Sequence, residues 1–334
     1  MIATISTSAM KAVVCERPGL ANGLKVKEIP KPAVPDDGVL VRVRASSANP
    51  VDLFPTSPAG YMMTRDRPLI LGTDFAGTVE SVGKDVTAFR TGDEVFGGAR
   101  GAFAEFVCLA ETKAIARKPA GVTFEQAGAV AVAGVTALQA LRDRGGIQPG
   151  QRVLINGASG GVGTFAVQIA KALGGQVTAV CSSRNVDMVR SLGAEEVIDY
   201  TKTDFTQGHG QYDLIIDLAG THSFTKCRRV LKPAGTFVGT GASGVQHSRM
   251  GTLRALGHFL GTRLRSMGSG HRVVSLFIAD LNQKDMEFLA GLMEAGKLIP
   301  AVERRYELRD VGAALGYLNT GHAKAKIAIQ VSDL

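Results

Sequence analysis

The stretch RVLINGASGGVG, residues 152–163, joins an apolar run to a glycine-rich turn. Residues 152–156 have the continuous apolar character of a parallel strand that is covered on both faces. The turn has the spacing Gly157-x-x-Gly160-x-x-Gly163, a variant of the dinucleotide-binding fingerprint, and a helical pattern follows it. Strand, turn and helix in this order predict a Rossmann unit whose helix N-terminus binds a pyrophosphate. A tight structural turn without a ligand is the alternative.

Strand and helix patterns continue to alternate after this unit. A helix is predicted over residues 162–173, and further buried strands at residues 177–180, 196–198, 214–217 and 236–238. Strands that alternate with helices predict an α/β domain with a doubly wound parallel sheet. We assign residues 126–298 to this Rossmann domain.

A second, β-rich domain is predicted from both ends of the chain. Residues 40–44 and 78–82 alternate apolar and polar side chains, as half-buried strands do. A helix is predicted over residues 124–142, and the last strand over residues 326–331. The substrate domain is therefore assigned to residues 1–125 and 299–334.

The composition is that of a globular protein in a reducing compartment. Of the 334 residues, 45% are hydrophobic and 20% are charged. No apolar stretch reaches the length of about 18 residues that a membrane span needs, so no span is expected. The four cysteines are far apart, which argues against a zinc ribbon or a disulfide scaffold: Cys15, Cys108, Cys181 and Cys227. We expect a cytoplasmic location.

The formal charge of +8 raises the question of a nucleic-acid partner. A basic cofactor site and ordinary solvated faces explain the excess more simply, so no nucleic acid is expected. One basic segment, Arg249 to Arg272, interleaves arginines with apolar residues in the pattern of a basic amphipathic helix. Such a helix either packs its apolar face on the protein or meets a membrane or a partner.

The choice between NADH and NADPH depends on the end of the second Rossmann strand. An enzyme that uses NAD commonly has an Asp or Glu there, about 20 residues after the glycines, that binds the ribose 2′-hydroxyl. Here the strand continues into CSSRN, residues 181–185, and the next acid along the chain is Asp187. Hydroxyl groups and a guanidinium favour a 2′-phosphate, so Ser182 and Arg184 predict NADPH. An exposed polar loop would also tolerate these residues.

Several motifs in order resemble the medium-chain dehydrogenase/reductase superfamily. Besides the glycine turn, they are NPVD at 49–52, GTDFAGTV at 72–79, GKLIP at 296–300 and YLNTGHA at 317–323. Over residues 10–331 the chain is similar to the zinc-free quinone oxidoreductase and zeta-crystallin branch. The resemblance implies a GroES-like substrate domain, a Rossmann domain and an active-site cleft between them. It also implies a homodimer joined through an edge strand, for which residues 271–278 are the candidate, with a buried strand as the alternative.

The resemblance also indicates where zinc-dependent relatives differ. Those relatives have a Cys at or beside the position of Asn49, and a His-Glu pair where this chain has Thr73 and Asp74. A later metal-binding Cys of theirs falls near Val132, and their cysteine-rich lobe is missing. Since the thiolate and imidazole ligands are replaced, no metal is expected.

By the same resemblance, residues beyond the glycine turn are expected to line the cofactor. Tyr200 would stack beside the adenosine phosphate, Thr136 would lie near the nicotinamide, and Lys326 could approach it. Ordinary packing or solvation explains Thr136 and Lys326 equally well. The full expected set is Thr136, Gly157, Ser159, Gly160, Gly161, Val162, Gly163, Ser182, Arg184, Tyr200, Leu218, Ala219, Gly239, Thr240, Gly241 and Lys326.

A site without zinc favours acceptors that need little polarisation. Hydride addition to a quinone or an enone gives a delocalised anion, so the protein mainly aligns the nicotinamide with the acceptor and excludes water. Asn49 and Asp52 are candidate catalytic residues, with Asn49 donating to the acceptor oxygen, and Tyr61 is a candidate proton donor. An Asn-Pro turn capped by Asp52 is the structural alternative.

Three functions are considered. The first is an NADPH-dependent reductase of quinones or other α,β-unsaturated carbonyl compounds. The second is an NADPH-dependent reductase of enoyl double bonds in acyl chains, which would need a long apolar cleft. The third is an NADPH-binding protein that acts through partner contacts, and the basic segment is its sole support.

Overall fold

The computed structural model describes residues 9–64, 67–209, 211–240, 270–275 and 279–331. By its contacts the chain divides into two compact units. The first unit is Met1–Val135 with Leu281–Leu334, and the second is Thr136–Asp280. No helix among the described residues is long and apolar enough to cross a membrane.

The strands and helices are as follows. The strands are β1 (Ala9–Cys15), β2 (Leu24–Pro30), β3 (Gly38–Ala48), β4 (Asp74–Val82), β5 (Glu94–Gly98), β6 (Phe106–Ala110), β7 (Ile115–Arg117), β8 (Arg152–Asn156), β9 (Gln176–Cys181), β10 (Glu196–Asp199), β11 (Tyr212–Asp217), β12 (Leu231–Gly239), β13 (Arg272–Ser275), β14 (Val302–Glu307) and β15 (Lys326–Gln330). The helices are α1 (Leu20–Gly23), α2 (Pro50–Leu53), α3 (Pro58–Met63), α4 (Phe124–Ala127), α5 (Ala131–Gln139), α6 (Gly161–Ala172), α7 (Val186–Ser191), α8 (Phe224–Cys227), α9 (Gln283–Glu294) and α10 (Val311–Asn319).

Strand β3 organises the first unit. It pairs antiparallel with β4, β6 and β15, in a sheet of order β14-β15-β3-β4-β5-β7 with β6 also on β3. Alternate side chains of β3, such as Val41 and Val43, are buried in one core with Phe75, Phe103 and Ile115. The pairing of β15 with β3 means that the C-terminal end of the chain completes the sheet formed by the N-terminal part.

The second unit contains a six-stranded parallel sheet of order β10-β9-β8-β11-β12-β13. The chain runs outward from β8 to β10 and then returns to the other side of β8, so the strand order reverses at β8. Helix α6 buries Phe165, Val167 and Ile169 and contacts β8 and β9. The predicted doubly wound α/β sheet is confirmed, and ligands of such sheets bind outside the carboxyl ends of the strands at the reversal.

The helix predicted over residues 124–142 is interrupted in the structure. After α4 the backbone makes tighter turns, with Ala129 N–H donating to Gln126 O and Val130 N–H donating to Ala127 O. At Gly128 the chain passes so close to β3 that a Cβ would lie 2.8 Å from Ala45 O. Helix α5 therefore starts anew, and a π-helical turn, Ala140–Gly145, follows it.

The basic segment, Arg249 to Arg272, falls almost wholly outside the described residues, as does Gly241. Residues 271–278, the predicted dimer edge, are described as far as residue 275. Strand β13 pairs with β12 alone and is the outermost described strand at that edge of the sheet.

Candidate active site and cofactor site

A buried polar cluster lies in the first unit where β3, β4 and β15 run side by side. The register places Ala48 opposite Ile327 and Ser47 opposite Asp74, so the residue after β3 meets the first residues of β4 and β15. The exposed fractions are 2% for Asn49, 3% for Asp52, 0% for Asp74 and 3% for Lys326. Charges buried to this degree need partners of opposite sign and full hydrogen bonding.

Lys326 and Asp74 supply those partners. Lys326 Nζ donates to Asn49 Oδ1 at 2.6 Å and to Asp74 Oδ2 at 3.3 Å. Asn49 Nδ2 donates to Asp74 Oδ2 at 2.9 Å and to Ser47 O at 3.2 Å, and Ser47 Oγ donates to Asp74 Oδ2 at 2.6 Å. Asp74 Oδ1 accepts from Val132 N–H at 2.8 Å. Because Val132 is in the first turn of α5, where N–H groups lack helical acceptors, the interruption of the helix provides this donor.

Asp52 is attached to the same cluster. Asn49 N–H donates to Asp52 Oδ2 at 2.8 Å, which caps α2, and Thr73 Oγ1 donates to Asp52 Oδ1 at 3.1 Å. Burial raises the pKa of Asp52 to about 7, the hydrogen bonds from Asn49 and Thr73 oppose this rise, and the neighbouring Asp74 charge adds to it. Asp52 can therefore hold a proton near neutral pH.

Of the three residues predicted as catalytic, two lie in the buried cluster and the third makes contacts elsewhere. Asn49 and Asp52 lie together, but both N–H bonds of the Asn49 amide are already directed at Ser47 and Asp74. The Tyr61 hydroxyl donates to Glu16 O at 2.5 Å, and its ring lies under the Arg67 guanidinium. Lys326, which was predicted to approach the cofactor, lies in this cluster in the first unit.

The glycine turn has a backbone that side chains would obstruct. Gly157 has a φ of +86°, and a Cβ on Gly163 would lie 2.2 Å from Gly157 O. Gly160 precedes the first residue of α6, so the N–H groups of the first turn of that helix have no helical acceptors. This cradle fits a pyrophosphate, which would accept from those N–H groups.

Loops after the neighbouring strands gather beside this turn. A Cβ on Gly157 would lie 3.2 Å from Ala219 N, and Leu218 N–H donates to Asn156 O at 3.0 Å. Thr240 N–H donates to Asp217 O, and Gly239 is the register partner of Asp217. The structure thus brings four predicted residues to one end of the sheet: Leu218, Ala219, Gly239 and Thr240.

Asn185 connects the glycine turn to the loop after β9, and the sequence reasoning missed it. Its Nδ2 donates to Ser159 Oγ at 3.1 Å and to Ser182 Oγ at 3.2 Å. Its Oδ1 is buried and has no hydrogen-bond partner among the described residues. A buried acceptor without a donor is costly, and a ribose hydroxyl would supply the donor. A buried Asn between a glycine turn and a serine loop also fits a dinucleotide.

The other residues predicted to bind the cofactor differ in how far they are exposed. Ser182 is half-buried, whereas Arg184 and Tyr200 are exposed. Tyr200 N–H donates to Cys181 O, which places Tyr200 beside the Ser182 loop. Thr136 is half-buried on α5. Among the described residues, no group of three or more His, Cys, Asp or Glu side chains is arranged to hold a metal ion.

Comparisons with known proteins agree with this geometry. Residues 35–120 match the family described as alcohol dehydrogenase GroES-like domain, and residues 192–329 match the family described as zinc-binding dehydrogenase. A trans-enoyl reductase of Aspergillus terreus is 35% identical over 316 residues, which cover 89% of this chain and 87% of the relative. This chain belongs to the medium-chain dehydrogenase/reductase superfamily. The predicted GroES-like and Rossmann folds are thereby confirmed.

Two further relatives narrow the activity. A mitochondrial NAD(P)H oxidoreductase of Mus musculus is 34% identical over 325 residues, which cover 88% of this chain and 81% of the relative. The solved structure of a quinone oxidoreductase from Coxiella burnetii has a TM-score of 0.83 and 30% identity, and it covers 97% of this chain and 100% of its own. The chain is an oxidoreductase of an NAD(P)H-dependent family.

Proposed function

We propose that this oxidoreductase transfers a hydride from NADPH to quinones or to other α,β-unsaturated carbonyl compounds, without a catalytic metal. The observation that carries the proposal is the buried cluster in which the Lys326 ammonium lies 2.6 Å from Asn49 Oδ1 and 3.3 Å from Asp74 Oδ2. Its ammonium, amide, hydroxyl and carboxylate groups are hydrogen-bonded to one another. Asn49 falls at or beside a Cys of the zinc-dependent relatives, and Asp74 falls within their His-Glu pair. A donor set of ammonium, amide and carboxylate groups is unsuited to zinc.

In this proposal the second unit holds NADPH. The glycine turn and the N-terminus of α6 bind the pyrophosphate, and Asn185 Oδ1 accepts from a ribose hydroxyl. Ser182 and Arg184 bind the 2′-phosphate. When bound, NADPH supplies the hydride, and the task of these residues is to orient it.

The acceptor class follows from the absence of a Lewis acid in the proposed mechanism. A simple ketone needs its carbonyl polarised before hydride addition, whereas a quinone or an enone forms a delocalised anion. Two of the relatives are, by their names, a quinone oxidoreductase and a trans-enoyl reductase, which supports this acceptor class.

The reduced acceptor also needs a proton, and Asp52 can store one. With a pKa of about 7, Asp52 is partly protonated in neutral solution. Its Oδ1 lies 3.1 Å from the hydroxyl of Thr73, which is less buried than Asp52. We assign Thr73 as the relay of this proton: its hydroxyl gives its own proton to the reduced acceptor and takes the proton of Asp52, which is left as the carboxylate. Asn49 is assigned as a positioning residue. Tyr61 is assigned no proton-transfer step because its hydroxyl donates to Glu16 O.

Reduction of enoyl double bonds in acyl chains is a second candidate, favoured by one observation. Four apolar side chains on the segment directly after Asn49 are at least half exposed, and they are Val51, Phe54, Met62 and Met63. An apolar surface of this kind suits a substrate that carries a hydrocarbon chain.

A panel of acceptors distinguishes the two candidates. NADPH oxidation would be followed with an ortho-quinone and with a short and a long 2-enoyl thioester. We expect the quinone to give the highest kcat/KM. A kcat/KM for the thioesters that is higher and rises with chain length would favour the second candidate.

Two predictions about assembly and location remain proposals. A homodimer would join through the edge at β13, and analytical ultracentrifugation of the full chain would measure it. The cytoplasmic location rests on composition, and the relatives include a mitochondrial protein.

A further inference from the structure

A carboxylate stands at the ribose end of the cofactor site, although the sequence after β9 shows no acid there. Strand β10 ends at Asp199, whose register partner on the parallel strand β9 is Cys181. The carboxyl ends of the two strands therefore lie side by side. Residues 182–185, which follow Cys181 directly, form the loop where Rossmann enzymes recognise the adenosine ribose, and we call it the ribose loop.

Asp199 is hydrogen-bonded to this loop. Its Oδ2 accepts from Ser183 Oγ at 2.5 Å, and its Oδ1 accepts from Thr201 Oγ1 at 2.7 Å and from Thr201 N–H at 3.0 Å. The hydrogen bonds from Ser183 and Thr201 lower the pKa of Asp199 to about 2, so the group is ionised at neutral pH. Lys202 Nζ is 3.7 Å away on a largely exposed side chain, and such a pair neutralises little of the charge.

A fixed negative charge at this place affects NADPH and NADH in opposite ways. It repels the 2′-phosphate of NADPH, whereas it can accept a hydrogen bond from the 2′-hydroxyl of NADH. Arg184, in the same loop, attracts the phosphate. Arg184 on the loop and Asp199 beside it therefore have opposite effects on the affinity for the 2′-phosphate.

We propose that Asp199, held against the ribose loop by Ser183, is a specificity-determining residue that limits the preference for NADPH, so that the chain also uses NADH. This inference rests on the proposed function, because it requires a nicotinamide cofactor on the glycine turn. The sequence fingerprint assigns the selection between NADH and NADPH to residues at the end of β9. Our inference adds a residue of β10 to them.

The test compares cofactor affinities in Asp199→Asn, which keeps the shape of the side chain and removes the charge. Kd values for NADPH and NADH would be measured by titration calorimetry, and thermal unfolding would verify the fold. Glu195→Gln is the matched control, since it removes the same charge near the other end of β10, on an exposed residue. We expect the Kd ratio of NADH to NADPH to rise about tenfold in Asp199→Asn and to stay unchanged in Glu195→Gln.

If Asp199→Asn does not fold, Asp199→Ser provides the same test, because it removes the charge and leaves a small polar group. It should raise the ratio as Asp199→Asn does. An unchanged ratio, or an equal loss of affinity for both cofactors, would overturn the inference and leave Asp199 a loop-capping residue. If the unmodified chain bound neither cofactor, the proposed function would fail first, and that result is visible before any substitution.

Discussion

Asp52 is a buried carboxyl group whose two oxygens accept hydrogen bonds from Asn49 N–H and Thr73 Oγ1. Its pKa rises from 3.8 to about 7, first because burial disfavours the charged form and further because Asp74 is near. In the folded protein it thus keeps a proton over a pH range in which the unfolded chain has lost it. Its contribution to stability is complete below pH 3.8 and is lost as the pH rises through about 7.

Asp52→Asn should remove this pH dependence. An Asn can still accept from Asn49 N–H and can donate to Thr73 Oγ1, so the variant should fold. Between pH 5 and pH 6 the wild type should lose stability relative to the variant by about 1.4 kcal/mol per pH unit, and near pH 7 by about half as much per unit. Urea unfolding of both proteins from pH 5 to pH 8 would measure the difference. Parallel stability curves would show that Asp52 does not hold a proton.

Lys326 and Asp74 should be strongly coupled because they form a buried ion pair at 3.3 Å, with exposed fractions of 3% and 0% for their side chains. Lys326→Met leaves the Asp74 carboxylate without its cation, and we expect a loss of about 3–5 kcal/mol. In the double variant with Asp74→Asn, the loss should be smaller than the sum of the two single losses.

A double-mutant cycle on urea unfolding measures this coupling. The control pair is Lys84 and Asp36, which are 3.1 Å apart and mostly exposed, and whose coupling should not exceed about 1 kcal/mol. Equal coupling energies in the two pairs would contradict the role of Lys326 as the cation of the cluster.

At the scale of elements, the glycine turn before α6 contains one glycine that the fold requires and one that cofactor binding is expected to require. A Cβ on Gly163 would meet Gly157 O at 2.2 Å, whereas the nearest atom to a Cβ on Gly160 is Gly157 O at 3.5 Å. The first substitution forces the turn apart, and the second places a methyl group in ordinary contact distance. The two glycines therefore offer a matched pair.

Gly163→Ala should cost about 1–3 kcal/mol of stability, because the backbone must shift. Gly160→Ala should unfold at nearly the wild-type Tm and should raise the Kd for NADPH about tenfold, because its methyl group blocks the approach to the pyrophosphate. Thermal unfolding and titration calorimetry on both variants provide the measurements. Wild-type affinity in Gly160→Ala would place the pyrophosphate elsewhere.

The buried strands were predictable from sequence because burial on both faces requires apolar runs. Strands β8, β9 and β11 lie within a residue or two of their predicted bounds. Strand β2 was not predicted, although residues 24–27 alternate apolar and charged side chains, and most of its side chains are exposed. The break between α4 and α5 lies beside a close approach of Gly128 to β3, and sequence periodicity encodes no such contact.

The sites were predictable only as far as local motifs reach. The glycine turn is contiguous, so its residues could be named in advance. Asp199 escaped notice because its place beside Ser183 follows from strand register, and the pairing of Lys326 with Asp74 spans 252 residues. Asn49 was expected to donate to the substrate, and no motif indicates that its amide is already engaged.

At the scale of the whole molecule, each unit contributes a different part of the proposed chemistry. The first unit contains the polar cluster of Asn49, Asp52, Asp74 and Lys326, and the second contains the glycine turn and the ribose loop. The full chain is therefore the correct material for any assay of turnover.

NADPH oxidation with an ortho-quinone tests metal-free hydride transfer most directly, using the full chain after its metals have been removed by chelation. We predict turnover that survives chelation, is not increased by added Zn²⁺, and is faster with NADPH than with NADH. Tight NADPH binding without turnover of the quinone, or activity that returns only with Zn²⁺, would contradict metal-free hydride transfer to quinones.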